Sequence, residues 1–317
     1  MSAVEVDTLV KEFPQRGGDI LRAVDGISFA VEPGEIFGFL GPNGAGKTTS
    51  LEIMEGLQAP TSGNARVLGL DSTTQTEEMK RRIGVQLQAG AYFDFLSLRE
   101  ILELFGSFYP RRLAPDDLLQ RVGLEDRAET LVRQLSGGQQ QRFSIVASIV
   151  NDPEVVFLDE ATTGLDPRAR REVWDLIRGI RDSGKTVVLT THYMEEAETL
   201  CDRIAIIDHG RIVALDTPDG LIRGLGASYR VVFEARGSFD EAAVARIPGV
   251  VAMTGVHGRP RAHSLSVTEP IATLQAFLAW ARDAGVELAD LQVLPSTLED
   301  VFLARTGRAL QPEEERA

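Results

Sequence analysis

The stretch Gly41-Pro42-Asn43-Gly44-Ala45-Gly46-Lys47-Thr48, with Thr49 adjoining, fits G-x-x-x-x-G-K-[ST], a pattern whose chemistry is phosphate binding. Its glycines let the chain fold back so that successive backbone N–H groups point at phosphate oxygens, and a helix opening at its end adds a positive dipole. Lys47 is placed to reach the β- and γ-phosphates of a nucleotide, and the Thr48 hydroxyl to ligate Mg²⁺. A second signal is the apolar run Val155–Leu158, which ends in the carboxylates Asp159 and Glu160. Carboxylates at the end of a buried strand lie where open α/β sheets bind ligands. Asp159 is suited to hold Mg²⁺ through water, and Glu160 to polarise an attacking water. A third is Leu135-Ser136-Gly137-Gly138-Gln139-Gln140-Gln141-Arg142, a turn feeding a helix capped by Ser136, whose exposed N–H donors suit a second phosphate contact.

These residues need rigid elements to hold them. Segments 3–9, 27–32 and 36–40 read as β, the last running straight into the glycine loop and then into an apolar-periodic helix over 48–56. The β pattern disappears from 88 to 135, where Ser97-Leu98-Arg99-Glu100 reads as a capping box opening a helix with Ile101, Leu102, Leu104, Phe105 and Phe108 on its apolar side. The runs 155–158 and 186–190, separated by a helix over 168–182, suit a buried parallel sheet. Segments 203–208 and 211–216 flank His209-Gly210 as a hairpin. The expected fold class is therefore α/β: a phosphate-loop NTPase cassette, mainly parallel, with an N-terminal antiparallel β part and a helical insertion over about 89–145. It ends at 226. Residues 227–310 follow the order β-α-β-β-α-β of a small ferredoxin-like α+β domain. Residues 311–317 form a short acidic tail with the composition of disorder.

Composition bounds the function classes. The chain has 317 residues, enough for two domains with a sizeable core. Its 33 basic and 47 acidic residues leave a net charge of −14, which repels phosphate backbones and argues against broad nucleic-acid binding. The single cysteine, Cys201, excludes an internal disulfide and a Cys-rich metal site. The opening MSAVEVDTLVKEF carries acids and no apolar core of a secretory signal. No apolar run approaches the roughly 20 residues of a membrane-spanning helix, so any membrane role is expected through a partner.

Phosphate loop, Leu-Ser-Gly-Gly-Gln and Leu-Asp-Glu, in this order, resemble the nucleotide-binding subunit of ATP-binding cassette (ABC) proteins over residues 3 to about 225. The resemblance implies ATP and Mg²⁺ as ligands. It implies that Phe13 stacks on adenine, the plainer reading being a half-buried Phe, and that Gln88, or less readily Gln86, reaches Mg²⁺ and the lytic water. Asp166, in Thr163-Gly164-Leu165-Asp166, resembles the loop that crosses to a second subunit, and His192 the histidine that contacts the γ-phosphate. Two copies are implied to close head to tail, so that Ser136 and Gly138 act on the partner's ATP. Ala161 stands where the family commonly has proline. The segment Pro295-Ser296-Thr297-Leu298-Glu299-Asp300-Val301-Phe302, ending near Thr306-Gly307-Arg308, resembles the tail of drug- and antibiotic-resistance exporter subunits. That implies a separate multi-span permease, docked beside 88–100 with Tyr92, Phe93 and Phe95, a place on the cytoplasmic face of the membrane, and efflux of hydrophobic compounds. An importer ATPase and a soluble ABC ATPase acting on DNA or the ribosome stay open. Against the last stand the single cassette and the acidic charge.

Overall fold

The computed structural model describes residues 2–15, 17–86, 92–256 and 259–307. The expectations for Gln88 and for the 311–317 tail lie outside the described residues. Two compact units divide the chain, Met1–Leu215 and Asp216–Ala317. The division precedes the 226/227 boundary expected from sequence because α8 (Pro218–Arg223) packs on α11 (Leu298–Thr306), inside the second unit.

In the first unit, β1 (Val4–Pro14) and β2 (Ile20–Val31) pair antiparallel, and β3 (Ile36–Leu40) follows. Helix α1 (Lys47–Met54) leads to β4 (Ser62–Val67) and β5 (Leu70–Asp71), which complete an antiparallel sheet of order β2-β1-β4-β5. After α2 (Thr76–Lys80) comes the short strand β6 (Ile83–Gln86), an edge of the second sheet. Helices α3 (Leu98–Ser107), α4 (Pro115–Arg121) and α5 (Gly137–Ser148) form the insertion. The chain then runs through β7 (Val155–Asp159), α6 (Pro167–Asp182), β8 (Thr186–Thr191), α7 (Met194–Leu200), β9 (Arg203–Asp208) and β10 (Arg211–Asp216).

The second sheet has the order β10-β9-β3-β8-β7-β6, and the five strands from β9 to β6 pair in parallel. Every residue of β3, β7 and β8 is buried, as expected for strands covered on both faces. Between the two sheets Phe29, Phe37 and Phe39 meet, Phe29 stacking on Phe37 at 5.3 Å and meeting Phe39 edge-on at 5.2 Å. The capping box expected at Ser97 is present, with Ser97 N–H donating to Glu100 Oε2 at 2.8 Å. Phe108 departs from expectation. The helix ends at Ser107, so Phe108 turns outward, 70% exposed, while Leu98, Ile101, Leu102 and Gly106 are buried.

The second unit runs β11 (Tyr229–Arg236), α9 (Glu241–Ala245), β12 (Val250–Val256), β13 (Arg259–Val267), α10 (Pro270–Asp283), β14 (Glu287–Pro295) and α11. Its sheet has the order β12-β13-β11-β14 with antiparallel pairing throughout. Val231, Phe233, Leu265, Val267 and Phe277 form its core, Phe233 and Phe277 lying 4.7 Å apart.

Candidate nucleotide site

The loop 41–46 joins the central strand β3 to the start of α1, and its backbone explains its composition. Gly44 and Gly46 have φ of 78° and 102°, in the region that favours glycine. A Cβ at Gly46 would lie 2.2 Å from the Ala23 carbonyl oxygen, and one at Gly41 would lie 2.3 Å from that of Ile207. The loop is thus wedged against neighbouring backbone on two sides. Gly46 occupies the N-cap of α1 without a side-chain cap, leaving the first helical N–H groups for a ligand. Lys47 is buried and donates to the carbonyl oxygens of Gly41 at 2.8 Å and Pro42 at 3.2 Å.

Strand β7 delivers the carboxylates beside this loop. Thr48 Oγ1 donates to Asp159 Oδ1 at 3.2 Å, and Thr190 Oγ1 donates to the same oxygen. The Glu160 N–H donates to Thr190 Oγ1 at 3.0 Å. Glu160 adopts φ 48°, a strained conformation for a residue with a Cβ and one that clusters at functional sites. Its Oε1 lies 3.5 Å from Lys47 Nζ and 3.5 Å from His192 Nδ1. The adjoining His192 ring, and after it the Lys47 ammonium, hold the Glu160 carboxyl below the usual carboxylate range against the opposing effect of burial. Glu160 is therefore an anion at neutral pH, as orienting a water requires. Thr190 carries no sequence signal beyond its place at the strand end Thr190-Thr191-His192.

His192 is buried at the end of β8, and neither ring nitrogen has a hydrogen-bond partner among the described residues. Buried polar atoms are rarely left so, and an anionic oxygen beside Lys47 would satisfy them. The loop, the ammonium and these orphaned nitrogens together fit a polyphosphate. The described residues contain no group of three or more His, Cys, Asp or Glu able to hold a metal by themselves. The Thr48 hydroxyl and Asp159 carboxylate fit an ion that also takes phosphate oxygens, the usual habit of Mg²⁺.

Ser136, Gly138 and Asp166 gather elsewhere in the unit. Ser136 caps α5 in a capping box, its N–H donating to Gln139 Oε1 at 3.0 Å. Asp166 caps α6, accepting from the N–H groups of Arg168 at 2.9 Å and Ala169 at 3.0 Å. Ser136, Gly138 and Asp166 line a shared cleft of about 440 Å³, whose described lining includes no residue of the phosphate loop. Phe13 is half-buried at the end of β1, with Lys11 Nζ 5.1 Å above its ring. It pairs with Leu21, close along β2 to the Ala23 carbonyl that abuts Gly46. Gln86 ends β6 and is buried. Ala161 is buried beside Glu160.

Comparison with known proteins agrees with this geometry. The ABC transporter family matches residues 24–163. Over 98% of its length the chain is 38% identical to the daunorubicin resistance ATP-binding protein DrrA2 of Streptomyces coeruleorubidus, covering 97% of that protein. The chain belongs to the ABC transporter family. It is also 37% identical to the Nod factor export ATP-binding protein I of Paraburkholderia xenovorans, over 98% of this chain and 99% of that one. A dimeric ATP-binding cassette in a post-hydrolysis state, bound to ADP and Pi, superposes with a TM-score of 0.62 at 25% identity, over 68% of this chain and 98% of that one. The structure of an ATP-binding subunit of an ABC transporter superposes with a TM-score of 0.63 at 28% identity, over 71% and 94%. The first unit of this ABC protein is accordingly a phosphate-loop NTPase cassette with mixed sheets.

Proposed function

We propose that this ABC protein is the ATP-hydrolysing subunit of an exporter that expels drugs or other hydrophobic compounds through a separate membrane permease. The observation that carries the chemistry is the meeting of Lys47, Glu160 and His192 around one carboxylate oxygen, beside the contact between Thr48 and Asp159. Lys47 and His192 face the transferred phosphoryl group. Glu160 orients water for in-line attack, and catalysis is mostly positioning and charge stabilisation. Thr48 and Asp159, with Gln88, would hold Mg²⁺, which when bound neutralises charge on the phosphate oxygens.

The separate cleft of Ser136, Gly138 and Asp166 supports a head-to-tail pair of identical chains, each cleft completing the other's phosphate site. ATP then favours the closed pair because only that pair binds it from both sides. Phe13, on the β1 end nearest the loop, takes the adenine. Among the described residues no helix is long and apolar enough to cross a membrane. The permease is read as a separate partner, and this chain as docking on the cytoplasmic face. Support for the docking surface comes from the aromatics after Gln88. Phe93 and Phe95 are 58% and 86% exposed, whereas Tyr92 packs on Phe105 and Phe143. Beside them a cavity of about 430 Å³ is lined by Leu57, Tyr92, Phe105, Phe108 and Glu55. The second unit is read as ferredoxin-like from its element order.

Affinity purification of tagged Glu160→Gln protein from detergent-solubilised native cells, with ATP and Mg²⁺, tests the proposal. A co-purifying multi-span membrane protein is expected. Recovery of ribosomes or DNA-bound factors without one would transfer the chemistry to a soluble ATPase.

A further inference from the structure

His192 raises a question of restraint. A histidine is usually fixed in orientation by a hydrogen bond at one ring nitrogen, yet neither nitrogen of His192 has such a partner among the described residues. Beyond the long approach of its Nδ1 to Glu160 Oε1, 3.5 Å, what remains is packing. The centroids of the His192 and Tyr193 rings lie 4.2 Å apart, and the Arg170 guanidinium lies over the Tyr193 ring, 4.2 Å from its centroid. Arg170 stands one turn beyond Asp166 on α6, and its Nε is buried without a hydrogen-bond partner among the described residues. Its cation is therefore placed by the ring face and by the nearby carboxylate of Glu196.

Glu196, on α7, is buried and accepts from Trp174 Nε1 of α6 at 2.9 Å, and the Thr191 hydroxyl at the end of β8 lies beside it. One carboxyl thus joins α6 and the end of β8. Burial raises its pKa despite these bonds. A buried carboxyl is tolerated only while its partners stay in place, which makes such a network rigid.

We propose that Arg170 and Glu196 are positioning residues for His192: Glu196 fixes the strand end on which His192 stands, and Arg170 presses the Tyr193 ring against the imidazole. Because both are tied to α6, a displacement of its Asp166 end is carried to His192. The proposal rests on the reading of His192 as a phosphate contact.

The test is steady-state ATPase turnover and ATP affinity of the full chain carrying Arg170→Met, Tyr193→Leu, Tyr193→Phe and His192→Ala, with Arg170→Met also combined with His192→Ala. Arg170→Met and Tyr193→Leu are expected to lower kcat about ten-fold, the scale of one partly buried cation–π contact, with ATP affinity unchanged. Tyr193→Phe keeps the ring and is expected to keep the turnover. The combined variant is expected to be no slower than His192→Ala alone. The imidazole NMR signal of His192 is expected to shift in Arg170→Met and stay put in Tyr193→Phe, a readout that survives very low turnover. Additive losses, or an unmoved signal with unchanged kcat in Arg170→Met, would overturn the positioning role. Full turnover in His192→Ala would instead overturn the underlying reading of His192, and the relay with it.

Discussion

Glu55 ends helix α1 and is only 3% exposed, in the wall of the apolar cavity beside Tyr92 and Phe105. Burial, then the neighbouring charges of Asp159 and Glu52, push its carboxyl from an ordinary 4.5 up to about 8, and no cation offsets this among the described residues. In the unfolded chain the same group ionises near 4.5. Between these values the folded chain holds a proton that the unfolded chain has lost, so stability falls as pH rises from about 4.5 to about 8 and is level above. At about 1.4 kcal/mol per pH unit, the accumulated loss is of the order of 5 kcal/mol. Glu55→Gln copies the neutral form and lacks this loss. Urea unfolding followed by the fluorescence of buried Trp174, in the same unit, should give equal stability for the two proteins at pH 5. At pH 9 the variant should be the more stable by several kcal/mol. Parallel pH profiles for the two proteins would refute the reasoning, because they would mean that Glu55 ionises freely in the folded chain.

Other outcomes follow from close contacts. Gly46→Ala places a Cβ 2.2 Å from the Ala23 carbonyl oxygen at φ 102°. It is expected to abolish binding of a fluorescent ATP analogue and to destabilise by about 1–3 kcal/mol, whereas Gly44→Ala meets nothing within 4 Å and should do less in a thermal melt. Cys201 is buried against Gly38 and its thiol is pushed well up by burial. A thiol reagent at pH 8 should leave it unmodified in the folded chain and react once urea is added; rapid stoichiometric labelling of the native protein would contradict its placement.

The phosphate loop and the Leu-Asp-Glu strand were legible because each combines a fixed residue pattern with a wholly apolar strand, and the strands are buried on both faces as such runs require. The capping box at Ser97 and the cap at Ser136 were legible for a local reason, a short-range exchange of hydrogen bonds between residues three apart. Strand β4 was not, because Ser-Gly-Asn-Ala-Arg-Val is polar and is held by register with β1, where Val6 faces Ala65. β6 is too short to show a period. β13 begins earlier than its apolar residues suggest, since Arg259 pairs with Glu234 at 2.6 Å and with Asp290. Glu55 and Thr190 escaped for a common reason. A glutamate at a helix end reads as solvated and a threonine in a strand as filler, and only the tertiary fold puts one beside a cavity and the other on Asp159.

The most direct measurement is ATP hydrolysis and assembly state of Glu160→Gln beside the unaltered chain, with ATP and Mg²⁺ in a sedimentation cell. If Glu160 orients the attacking water and ATP joins two copies, turnover falls by about 10²–10⁴-fold while the variant sediments as a stable dimer with ATP and as a monomer without it. Near-normal turnover, or a variant that binds ATP and stays monomeric, would contradict the account.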